Sequence, residues 1–209
     1  MIVVVTLGFD EKFALRAVSR RGMRDEDEVV TLIPKPVDER SERVFQSFKT
    51  ILEKAFHNPT VNRADIEVRD FSKGIIEIIN AFSRKKNNRF LINLSGGLRA
   101  LILETLLAAS ILKLDAIIEV EFEDSSNIVS FPLKWCHLKE IDSKSLKILE
   151  VLDKESLKLS EIVQKCGTSK TTAWRKLRIL CENGVLDLVE GNYELTEFGK
   201  IIKASLSNS

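Results

Sequence analysis

The sequence predicts an α/β chain in two domains, an open, mostly parallel sheet with helices on both faces and then a smaller α+β domain. Three observations predict it. The first ~130 residues alternate apolar strand-like runs with amphipathic helical stretches. The opening run Ile2–Thr6 is almost purely β-branched, as expected of a strand buried on both faces. The last third changes to short helices, a hairpin signal and a closing helix. Boundaries are expected at 1–134 for the first domain, 135–142 for a packed connector and 143–209 for the second.

After Ile2–Thr6, a helix is expected over Asp10–Arg20, bearing Phe13, Leu15, Ala17 and Val18, with Asp10 as its cap. Val29–Ile33 is the second strand, stopped by Pro34-Lys35-Pro36. A long helix runs from about Ser41 to Phe56, with Val44, Phe48, Ile51, Leu52 and Ala55 on one side. Ile66–Val68 reads as the third strand, Phe71–Phe82 as the third helix and Arg89–Leu94 as the fourth strand. Gly97–Leu112 is the fourth helix, Ala116–Phe122 the fifth strand, and Asn127–Phe131 pairs back antiparallel after Asp124-Ser125-Ser126. The apolar run Leu98–Leu114 contains Arg99, Glu104 and Lys113, so it reads as a buried helix and not a membrane span.

In the second domain, Leu146, Leu149 and Val151-Leu152 give a supporting helix its apolar face. Ser160 is the expected cap of the next, which runs through Ile162 and Val163 to Cys166, and Gly167 permits a tight turn. Ser169 then caps a helix whose Ala173, Leu177 and Leu180 face the core. Lys165 through Arg178 holds five basic residues and no acidic one. Val185–Val189 and Tyr193–Leu195 flank Gly191-Asn192 as a hairpin, and Thr196 caps a last helix with Phe198, Ile201 and Ile202. That order predicts a winged helix-turn-helix on double-stranded DNA, read by Ser169, Lys170, Thr171, Thr172, Arg175, Lys176 and Arg178. Glu190 and Glu194 put negative charge on the hairpin, which argues against a strong wing contact.

With a net charge of +1, 44% apolar and 30% charged residues, any nucleic-acid contact must be local. Met1–Val5 has no basic leader before it reaches Gly8, so no targeting segment is expected and the chain reads as cytoplasmic, without membrane contact. Cys136, Cys166 and Cys181 lack a CxxC partner, and His57 and His137 are isolated, so no metal site is expected. Reduced thiols are the default, a Cys166–Cys181 bridge the alternative.

Ligands of open parallel sheets collect at the C-terminal strand edges. Two loops stand out there, Thr6-Leu7-Gly8-Phe9 and Asn93-Leu94-Ser95-Gly96-Gly97-Leu98-Arg99. In the second, paired glycines allow close backbone approach, the helix start offers free N–H groups, and Arg99 adds a cation one turn in. This suits a phosphorylated ligand, with its sugar or base near Thr6–Phe9. A dinucleotide oxidoreductase is disfavoured, because no GxGxxG follows the first strand and Pro34-Lys35-Pro36 stands where an acidic residue would end the second. No Ser-His-Asp or Cys-His constellation assigns a catalytic residue.

These loops, with Leu94-Ser95-Gly96-Gly97-Leu98-Arg99 after the fourth strand, resemble those of a CARF domain (CRISPR-associated Rossmann fold). Followed by a winged helix-turn-helix, the whole chain resembles the archaeal CRISPR-associated transcriptional regulators of type I-A systems. Ser95-Gly96 stands where relatives often carry Thr-Gly or Thr-Met-Gly. The resemblance implies a homodimer whose pocket straddles the two-fold axis and binds cyclic tetra-adenylate through Thr6, Gly8, Phe9, Ser95, Gly96, Gly97 and Arg99. Leu7 and Asn93 within those loops, with Pro34 and Lys35 after the second strand, complete the expected ligand contacts. It further implies binding to CRISPR-array or CRISPR-gene promoters. Two alternatives stay open. One is a ring nuclease cleaving cyclic oligoadenylate, with Ser95, Arg99 and Lys35 stabilising the developing charge; the other is a regulator sensing another nucleotide.

Overall fold

Strands β1 (Ile2–Thr6), β2 (Glu28–Pro34), β3 (Thr60–Ile66), β4 (Arg89–Asn93), β5 (Asp115–Glu121) and β6 (Ile128–Pro132) form one sheet in the computed structural model. Their order is β3-β2-β1-β4-β5-β6; the first five are parallel and β6 returns antiparallel to β5. The structure describes residues 1–24, 26–137, 141–153 and 155–206. Helices α1 (Lys12–Arg21) and α2 (Glu39–Ala55) seal one face over Val3, Val5, Val29 and Ile33. Helices α3 (Phe71–Ser83) and α4 (Arg99–Leu112) seal the other over Val4, Leu32, Ile92 and Ile118. Strand order reverses between β1 and β4, so the chain leaves these neighbours toward opposite faces and opens a crevice at their C-terminal ends.

Several features of the first unit differ from the sequence expectation. The third strand is Thr60–Ile66 and not Ile66–Val68, because it lies at the sheet edge, where polar Asn62, Arg63 and Asp65 are tolerated. Arg63 there is held by Asp65 at 2.6 Å and Glu42 at 2.7 Å. Helix α1 begins at Lys12; Asp10 accepts the Lys12 N–H at 2.7 Å ahead of it, while Glu11 at the cap position makes no capping bond and its carboxylate instead accepts from the Ser47 hydroxyl at 2.9 Å. Helix α4 begins at Arg99, which puts that cation at the first helical position and not one turn in. Nor is the Leu98–Leu114 run wholly buried, since Leu103, Leu107 and Ile111 are 58%, 40% and 56% exposed along one edge of α4.

The chain divides into compact units Met1–Leu133 and Lys134–Ser209, with a 3-10 helix at Leu133–His137. The connector expected over 135–142 includes 138–140, which lie outside the described residues. In the second unit α5 (Ser143–Leu152), α6 (Leu159–Cys166), α7 (Lys170–Glu182), the antiparallel hairpin β7 (Leu186–Val189)–β8 (Asn192–Leu195) and α8 (Glu197–Leu206) surround Leu149, Ile162, Leu177 and Val185. Trp135 stacks on Phe198, ring centroids 4.8 Å apart. Glu161 accepts the Lys158 N–H at 2.7 Å, so Lys158 is the cap of α6 and Ser160 lies inside the helix. Gly167, at φ +60°, ends α6 in the left-handed region. The hairpin turns at Glu190-Gly191, both with positive φ, which makes Asn192 part of β8. All three cysteines are free thiols. Among the described residues no helix is long and apolar enough to cross a membrane.

Candidate functional site

The loops after β1 and β4 meet backbone to backbone at the crevice. Thr6 Oγ1 donates to Gly96 O at 2.5 Å. A Cβ on Gly8 would lie 2.8 Å from Gly97 N, and one on Gly96 would lie 2.7 Å from Thr6 O. Side chains there would force the loops apart, which is why both carry glycine. Gly97 has φ +87° and delivers the chain to α4, whose start carries no side-chain cap. The first N–H groups of α4 are therefore free of side-chain competition for an anion.

Beside these loops lies a cavity of about 380 Å³, lined by Gly8, Phe9, Pro34, Lys35, Arg69, Gly97 and their neighbours. Phe9 is 53% exposed, and the Arg40 guanidinium sits 4.6 Å above its ring. Lys35 Nζ is 3.0 Å from Glu77 Oε1, while Glu77 Oε2 accepts the Glu67 N–H at 2.8 Å. Burial pushes the Glu77 carboxyl up, but these bonds outweigh it and hold it below its ordinary range. Asp38 also lines the cavity and accepts the Ser41 N–H at 2.7 Å.

Of the residues the sequence nominates, Gly8, Phe9, Pro34, Lys35 and Gly97 line the cavity. Thr6 and Leu7 are buried at 2% and 1% exposure and support the loops from beneath. Asn93 is buried, its Oδ1 accepting the Ser95 N–H at 3.3 Å. The Ser95 hydroxyl accepts the Glu121 N–H at 2.8 Å, tying the loop to β5. Arg99 is exposed and outside the cavity lining. Lys35 therefore lines the cavity while Ser95 and Arg99 do not. Arg69 and Arg40 escape sequence reasoning; each lies outside the two loops and reaches the cavity region only through the topology.

Behind the site, Glu104 of α4 is fully buried and neither carboxyl oxygen has a hydrogen-bond partner. It fills the space that Gly74 of α3 leaves, where a Cβ would lie 2.7 Å from Oε2. Burial, reinforced by the charges of Glu67 and Glu77, pushes its pKa up to about 7. Among the described residues no group of three or more His, Cys, Asp or Glu is placed to hold a metal ion.

A second candidate surface lies on α7. Ala173, Leu177 and Leu180 anchor the helix, leaving Lys170, Thr171, Trp174, Arg175 and Arg178 exposed. Ser169 Oγ accepts the Thr172 N–H at 3.3 Å and donates to Thr172 Oγ1 at 2.9 Å, so both hydroxyls serve the cap. Lys176 is bound by Asp142, the cap of α5, and this pairing holds the Asp142 carboxyl far below its ordinary range. Arg178 Nε donates to Glu182 at 2.8 Å. Lys170, Thr171 and Arg175 are the polar groups left outward with no side-chain hydrogen bond or ion pair among the described residues.

The model of the Csa3 CRISPR-associated Rossmann-like domain matches residues 1–132. That of the HVO_A0261 N-terminal domain matches residues 141–208. No curated protein matches. Among solved structures, the chain is similar to Can2 from Sulfobacillus thermosulfidooxidans in complex with cyclic tetra-adenylate, at 12% identity and a TM-score of 0.48, over 98% of this chain. Protein VC1899 from Vibrio cholerae is similar at 14% identity and a TM-score of 0.48, over 97% of this chain. The chain spans 64% of the length of each.

Proposed function

The chain belongs to the Csa3 CRISPR-associated Rossmann-like (CARF) family through residues 1–132, and on that premise we propose that it is a cytoplasmic, ligand-responsive transcriptional regulator of CRISPR loci. In this reading residues 1–134 form the sensor, 135–142 the connector and 143–209 a winged helix-turn-helix. The sensor takes cyclic tetra-adenylate, the ligand that the CARF resemblance implies. The observation that carries this is the glycine-to-glycine contact of the β1 and β4 loops, beside the uncapped start of α4 and the Lys35–Arg69 cavity. Backbone N–H groups and cations there suit phosphates, while Phe9 and Arg40 offer flat surfaces to a base.

A homodimer completes the site. Leu103, Leu107 and Ile111 fall at i, i+4 and i+8 on α4, an apolar edge too regular for water and able to pack against its own copy across a two-fold axis. Leu107→Asp is expected to give a folded monomer in sedimentation velocity that no longer binds the ring; an unchanged dimer removes α4 from the interface.

Supporting the DNA-binding reading are the left-handed Gly167 turn, the Ser169 cap and the outward Lys170, Thr171 and Arg175 of α7. The hairpin acids leave α7 as the reading element. Calorimetry with cyclic tri-, tetra- and hexa-adenylate tests the sensor, with tight binding expected for the four-membered ring alone. Arg99→Ala should weaken that binding by more than one charge-assisted contact of ~1.5–3 kcal/mol, since two copies face one ring. Wild-type affinity in the dimeric variant would leave only backbone amides for the phosphates.

A further inference from the structure

We propose that Trp174 is a specificity-determining residue of the second unit, its indole pressing on a thymine 5-methyl group in the major groove; this rests on the DNA-binding reading above. Trp174 is 50% exposed, while the three apolar anchors of the same helix are at most 3% exposed. It lies on the outward edge with Thr171, Arg175 and Arg178. The chain's other tryptophan, Trp135, is packed against Phe198. A large ring left in water amid cations is unhelpful to a core and well suited to a surface that meets a partner.

The chemistry of the partner follows from the ring and its neighbours. The indole face has no acceptor and one edge donor, so in the major groove it matches the feature unique to thymine, an apolar methyl. Arg178 lies 5.9 Å from the ring centroid and is itself held by Glu182, a cation–π contact that restricts the side chain before any partner arrives. Thr171 and Arg175 on the same edge supply the hydroxyl and guanidinium for neighbouring base edges.

The test uses duplexes enriched by the whole wild-type chain, both units present, from a randomised 30-base-pair pool. Anisotropy then measures wild type, Trp174→Ala, Trp174→Phe and Arg175→Ala, on the enriched duplex and on the same duplex with each thymine in turn replaced by deoxyuridine. Wild type should lose several-fold in affinity at one thymine per half-site. Trp174→Ala should bind the thymine duplex about tenfold more weakly and be indifferent to that replacement. Its salt slope should be unchanged, because no phosphate contact is lost. Trp174→Phe should fall between. Wild-type affinity in Trp174→Ala, retained sensitivity to deoxyuridine, or an altered oligomeric state would overturn the assignment. If wild type enriches no duplex, the DNA-binding reading itself fails and this assignment with it; weakened binding by Arg175→Ala beside wild-type binding by Trp174→Ala overturns only the Trp174 assignment.

Discussion

Gly96→Ala is expected to abolish ring binding and to lower stability by about 1–3 kcal/mol, the usual cost of overpacking a tight site. The added Cβ would lie 2.7 Å from Thr6 O, a backbone atom of a strand paired on both sides, which cannot yield as a flexible side chain would. The loop must retreat, the Thr6–Gly96 hydrogen bond breaks, and the free N–H groups at the start of α4 move away from Gly8. Thermal unfolding reads the first effect and calorimetry with cyclic tetra-adenylate the second. A variant with wild-type melting temperature would show that the loops are not in backbone contact.

Glu104→Gln should remove a pH dependence that wild type carries. With a folded pKa of about 7 against 4.5 in the unfolded chain, Glu104 is neutral when folded and ionised when unfolded between those values. Its contribution is fully present below pH 4.5 and is lost as pH rises through 7. The loss is about 3 kcal/mol, near 10 °C in melting temperature for a unit of this size. The difference between wild-type and variant melting temperatures, followed from pH 4 to pH 8, isolates this group from the others that titrate. The gap should shift in favour of the glutamine variant by roughly that amount; parallel curves would mean that Glu104 finds a partner or water.

Much of this was readable from residue order. β-Branched runs mark β1 and β2, which are buried on both faces, whereas β3 hides its strand character behind Asn62, Arg63 and Asp65 at an open edge. The two glycine loops were equally legible, since close backbone approach leaves no other residue type. Side-chain commitments were not. That Thr6 and Ser95 spend their hydroxyls on Gly96 and Glu121, or that Lys176 is occupied by Asp142, depends on partners 90, 26 and 34 residues away. Arg69 enters the cavity through topology, and its own neighbours in sequence carry no sign of it. Nor does residue order show that Gly74 of α3 makes room for Glu104 of α4.

The central claim is that one chain senses a cyclic nucleotide and reads DNA, with the two linked. Its most direct test is the affinity of the whole 209-residue chain for its enriched duplex, measured at fixed salt with and without saturating cyclic tetra-adenylate. A coupling of about 1–3 kcal/mol is expected, a change of at least fivefold in either direction, with the reciprocal change in ring affinity when DNA is present. Superimposable binding curves, with the ring demonstrably bound, would contradict the account.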